Sequence, residues 1–120
     1  MDQTKLTALS PVDGRYADKV DALRDIFSEY GLIRFRVLVE VRWLQWLADA
    51  PDIGELAPLS SVMKNLLNRI ADDFSADDAE CIKKIEAKTN HDVKAVEYFV
   101  REKIGGGTEI GKPADFVHFG

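Results

Sequence analysis

The stretch from Leu32 to Ala50 constrains the fold more than any other part of the chain, because Leu32, Ile33, Phe35, Val37, Leu38, Val39, Val41, Trp43, Leu44, Trp46 and Leu47 crowd more than one face of any regular element. Its β-branched residues favour a strand locally. Length decides against one: a strand of this extent would be about three times the usual size, whereas the pattern fills roughly five helical turns. The spacing therefore predicts a helix over 32–49. A helix apolar over so much of its circumference needs several neighbours to cover it, and another subunit is one candidate.

The flanking sequence points to an all-α chain. Residues 1–17 read as an extended lead-in, because Pro11 restricts Ser10 and Asp13-Gly14 favours a turn just before Arg15. From Asp18 to Tyr30, Val20, Leu23, Ile26 and Phe27 recur at the spacing of an amphipathic helix that Gly31 ends or bends. After a loop built on Pro51-Asp52-Ile53-Gly54 and Pro58, Ser60 or Ser61 caps a helix over 61–73 with Val62, Leu66, Leu67 and Ile70 inward. Ser75, with Asp78 three residues on, gives a capping-box start to a helix over 76–89 whose apolar side is Ile82 and Ile85. Asn90 caps a further helix over 92–104, with Val93, Val96, Val100 and Ile104 inward. Gly105-Gly106-Gly107 breaks that pattern, and a linker through Gly111-Lys112-Pro113 leads into Ala114–Gly120. The expected division is a helical domain over 1–111 and the truncated start of a second helical domain over 112–120.

Composition narrows the partners. The hydrophobic content of 46% is enough for one real core. A formal charge of −5 without a block of Lys or Arg argues against binding to a nucleic-acid backbone. A small anionic ligand stays open, since one Arg with backbone donors matters more there than net charge. Cys81 is the single cysteine, so no internal disulfide or thiolate metal cluster can form, and it reads as a half-buried packing residue. No signal-peptide core follows Met1–Lys5, and the longest uncharged run is too short to span a bilayer. The expected location is cytoplasmic, with no membrane partner.

Thr89-Asn90-His91-Asp92-Val93-Lys94 is dense in useful polar groups for a helix start. His91, Lys94 and Tyr98 fall on one helical stripe, which can hold an anion. His91 donates from either ring nitrogen, Lys94 adds mobile charge, and Asn90 and Asp92 can fix a heterocycle or ribose by directional hydrogen bonds. Surface capping and salt pairing, including Glu97 with Arg101, account for the same residues without a ligand. No serine has an identifiable histidine–carboxylate partner pair, and His91 with His118 makes a poor metal set. Gly105-Gly106-Gly107 lacks the Lys-Ser/Thr ending of a phosphate loop.

Three segments, in order, resemble one family. Ser10-Pro11-Val12-Asp13-Gly14-Arg15-Tyr16 resembles the phosphate-binding segment of the adenylosuccinate lyases, members of the fumarase/aspartase superfamily. Thr89–Phe99 resembles their substrate-binding segment, and Val117-His118-Phe119-Gly120 resembles the front half of a His-Phe-Gly motif that continues into a Thr-Ser pair. The resemblance implies the amino-terminal helical domain of such a lyase. It implies that Arg15 and Tyr16 grip a nucleotide 5′-phosphate and that Asn90, His91 and Asp92 line the substrate site. Lys94, from its place on the stripe, and His118, where the motif continues, are candidates to support that site, while orienting the following loop or packing under it accounts for His118 without a ligand. The implied reaction eliminates fumarate from adenylosuccinate and from succinylaminoimidazole carboxamide ribotide, with no cofactor or metal, in a homotetramer. The implied acid histidine and base serine lie beyond Gly120, so no catalytic residue is assigned here and the 120 residues alone are expected to be inactive. Competing readings are another superfamily lyase, such as argininosuccinate lyase or a fumarase, and a non-enzymatic helical interaction module built on the two tryptophans.

Overall fold

Helices account for all the regular structure in the computed structural model, which describes residues 1–105 and 112–119. They are α1 (Arg24–Phe27), α2 (Glu29–Asp49), α3 (Ser61–Asp72), α4 (Ala76–Thr89), α5 (Asp92–Gly105) and α6 (Lys112–Asp115), and no strand occurs among the described residues. The all-α expectation is met. The chain forms two compact units, Met1–Leu32 and Ile33–Gly120. The domain boundary expected at residue 111, and the Gly106-Gly107 linker, lie outside the described residues.

The first unit departs from its expected form. Residues before Arg15 are wound into turns instead of extended, because the Ser10 and Pro11 carbonyls collect the amides of Asp13, Gly14 and Tyr16 while the Ser10 hydroxyl accepts from Val12. Such local bonds satisfy the backbone without a partner strand. Gly14 is buried where any Cβ would run into the Lys5 carbonyl oxygen, so the turn needs glycine for close approach. The single helix expected over 18–30 is broken into two 3-10 turns, Ala17–Lys19 and Asp21–Leu23, followed by the short α1. Ser28 makes the final break: its backbone is extended, and its hydroxyl accepts from Gly31 N–H as the amino-terminal cap of α2. Gly31 therefore neither ends nor bends a helix. It lies in the first turn of α2, where a Cβ would strike the Asp25 and Ile26 carbonyls.

In the second unit, α2 is two-sided. Val37, Val41 and Leu44 are fully buried, with Ile33, Leu47 and Ala48 nearly so, whereas Phe35, Val39, Trp43 and Trp46 remain exposed. Trp43 and Trp46 stack on that open side, with ring centroids 5.2 Å apart and planes 7° apart. Ser60 caps α3 through Met63 N–H, and Ser75 with Asp78 closes the expected capping box on α4. The α3 stripe buries Leu67 and Ile70, but Val62 is exposed, because burial runs out in the first turn. α5 packs on α4, α3 and α6, burying Val96, Phe99, Val100 and Ile104, with Phe99 edge-on to Phe74. Val93 is half-buried. Asn68 of α3 accepts from both Arg42 and Gln45 and so ties α3 to α2. Cys81 is exposed and has no packing role, since its place on α4 turns away from the Ile82 face.

Candidate functional site

Only Asn90 and His91 separate α4 from α5, and that shortness reassigns the caps. Asn90 adopts the left-handed conformation (φ 54°, ψ 30°) and closes α4 with its amide on the Glu86 carbonyl at 2.7 Å. Asparagine tolerates that conformation better than other non-glycine residues. The expectation that Asn90 opens α5 is thereby corrected. His91 opens α5 in its place, with its Nδ1 accepting the Lys94 backbone N–H at 3.0 Å. An accepting Nδ1 places the proton of the neutral ring on Nε2, so exposed His91 presents an N–H donor. Thr89 Oγ1 accepts from His91 N–H and donates to the His91 carbonyl, both at 3.2 Å.

Asp92 anchors the corner to α2. One carboxylate oxygen accepts from Arg36 at 2.9 Å and the other from Val93 N–H at 2.8 Å. The Arg36 hydrogen bond, followed by that from Val93, holds the Asp92 carboxyl below its ordinary value. His91, Lys94 and Tyr98 form the expected exposed stripe, with Lys94 Nζ 5.5 Å from the Tyr98 ring centre. Lys94 Nζ also lies 2.7 Å from Glu97 Oε2, and this contact with Glu97 raises its pKa and keeps it charged. Glu97 is only 6% exposed and meets Arg101 at 3.8 Å on its other oxygen, which makes it a buried hub for the stripe.

Arg15 and Tyr16, in the first unit, are both exposed, and the Arg15 guanidinium lies 5.3 Å from the Tyr16 ring centre. The Tyr16 amide is held by the Pro11 carbonyl at 2.8 Å, so the turn that Gly14 permits fixes the backbone of both.

His118 sits in the turn after α6, itself left-handed (φ 58°) at a cost of roughly 1–2 kcal/mol for a residue with a Cβ. α2 supplies the restraint. Glu40 Oε1 lies 2.6 Å from His118 Nδ1, and Trp43 Nε1–H donates to the Phe119 carbonyl at 2.7 Å. Sequence reasoning missed Glu40 and Arg36. The available signal was one acid inside the most apolar helix, which is costly to bury without a partner.

Among the described residues, no group of three His, Cys, Asp or Glu could hold a metal ion, and no helix is long and apolar enough to cross a membrane. A family model described as "Lyase" matches residues 14–120. The chain belongs to this lyase family. The matched span contains all the candidate residues above, from Arg15 to His118. Curated relatives include proteins named adenylosuccinate lyase from Haemophilus influenzae, 56% identical over 99% of this chain, and from Escherichia coli K12, 55% identical over 99%. The one from Vibrio cholerae is 50% identical over 99%. The chain spans 26% of the length of each of these lyases.

Proposed function

We propose that this chain is part of an adenylosuccinate lyase, whose whole protein eliminates fumarate from adenylosuccinate and from succinylaminoimidazole carboxamide ribotide in purine nucleotide biosynthesis. The observation that carries the reading is the 56% identity, over nearly the whole chain, to a lyase of that name. Such an elimination needs a base for a carbon-bound proton, stabilisation of the resulting carbanion, and an acid for the departing nitrogen. None of these roles is assigned to this segment. It serves binding: Arg15 forks onto the nucleotide phosphate with Tyr16 beside it, and the Asn90-His91-Asp92 corner presents donors and acceptors to the rest of the substrate. Lys94 adds a fixed positive charge, and His118 completes the polar surface. The exposed row of Phe35, Val39, Trp43 and Trp46 favours burial against other protein, in keeping with a homotetramer in the cytoplasm.

The direct test is fumarate release by the full-length protein from each succinylated nucleotide. Release from neither, or only from a substrate without a nucleotide, overturns the reading. Within it, Arg15→Lys is expected to raise KM about tenfold or more, since an ammonium cannot reproduce a bidentate fork, while Arg69→Lys on the surface leaves KM unchanged. Equal KM values at one ionic strength would remove Arg15 from the phosphate site.

A further inference from the structure

Glu40 belongs to none of the three segments that resemble binding motifs, yet the His118 turn is held by it. Its side chain is 12% exposed, one oxygen meets His118 Nδ1, and the other is buried with no hydrogen-bond partner among the described residues. A carboxylate in that state is unfavourable, and an apolar side chain of similar volume would serve packing better. A carboxylate offers only acceptors, so the contact puts the ring proton on Nδ1 and leaves Nε2 as the nitrogen open to a ligand. The ring itself is 45% exposed, and Nε2 has no partner among the described residues. Three residues along the same helix, Trp43 pins the next carbonyl, so ring and backbone are held from one rigid element.

We infer that Glu40 is a positioning residue, which selects the tautomer and orientation in which His118 Nε2 meets the substrate. This rests on His118 being part of the substrate site. It makes one largely covered acid on α2 a determinant of substrate geometry, acting only through His118.

A double-mutant cycle in the full-length protein tests it. Glu40→Gln keeps size but not charge, and it is expected to lower kcat/KM for fumarate release about 10- to 100-fold, the scale known from losing the carboxylate that orients a metal-bound histidine. His118→Ala should lower it at least as much, and adding Glu40→Gln to His118→Ala should change nothing beyond about twofold. If the two losses multiply, or Glu40→Gln alone is silent while His118→Ala is not, the inference falls and the substrate-site reading stands. If His118→Ala is silent, the substrate-site reading falls with it. Should Glu40→Gln not fold, Glu40→Asp keeps the charge, withdraws it from the ring, and should show the same non-additivity. A readout independent of turnover is the ring-nitrogen resonance of ¹⁵N-histidine-labelled protein, assigned by the signal lost in His118→Ala. Protonated Nδ1 in the wild type, depleted in Glu40→Gln, is expected. Identical His118 resonances in the two proteins would overturn the inference even if no fumarate were released.

Discussion

His91 and His118 are both exposed imidazoles at left-handed kinks of the backbone, and they are held in opposite ways. His91 follows the kink at Asn90, and its Nδ1 accepts a backbone amide, so a local helix cap fixes the ring as an Nε2–H donor. His118 forms its own kink, and its Nδ1 faces a carboxylate 78 residues away, so a tertiary contact fixes the ring with Nε2 bare. One fold thus offers a ligand one donor and one acceptor from the same residue type. The neighbour at Nδ1 decides which.

The largest expected effect tests whether His91 is more than a cap. In the full-length protein, His91→Ala should lower kcat/KM on the order of 100-fold, the scale on which lost positioning usually appears. His91→Asn restores a good capping side chain without an imidazole. It should recover the melting temperature lost by His91→Ala while activity stays low. Recovery of activity by asparagine would reduce His91 to a cap and break the comparison.

A smaller effect addresses the kinks. Asn90→Ala should cost on the order of 1 kcal/mol in chemical denaturation, because alanine keeps the Cβ but loses the short polar side chain that eases asparagine into positive φ, whereas Asn90→Gly, which has no Cβ to penalise, should be at least as stable as wild type. If Asn90→Gly is as stable as wild type yet binds substrate more weakly, the side chain itself belongs to the site. Equal affinity would confine Asn90 to closing α4.

The smallest effect concerns the anchor of the His91 corner. Arg36 holds the folded pKa of Asp92 below its ordinary 3.8, so the pair stabilises the fold above that value and the contribution is lost only as pH falls through the lowered folded pKa. The difference in melting temperature between wild type and Asp92→Asn should therefore be steady from neutral pH to the ordinary carboxylate range and close below it. A gap that closes well above 3.8 would show that Asp92 is not held by Arg36.

What the sequence made legible follows the range of each interaction. Ser60 and Ser75 cap within three residues of themselves, so α3 and α4 begin where the pattern puts them. The break at Ser28 was hidden because the apolar spacing of Leu23, Ile26 and Phe27 mimics a helix that the chain leaves for turns. At Thr89-Asn90-His91 two helix ends compete for one polar run, and periodicity does not say which residue serves which end. The segments that resemble binding motifs were visible as strings. Their supports, Arg36 and Glu40, were not, since the first acts across 56 residues of chain and the second across 78.

The stacked Trp43 and Trp46 are the two tryptophans of this chain, and the Trp43 indole N–H is bonded to the carbonyl beside His118. Near-parallel indoles in contact couple their electronic transitions, and indole emission is sensitive to its hydrogen bond. The segment thus carries its own optical gauge: a ligand that shifts the His118 turn alters the near-ultraviolet circular dichroism and emission of the pair, with no label attached.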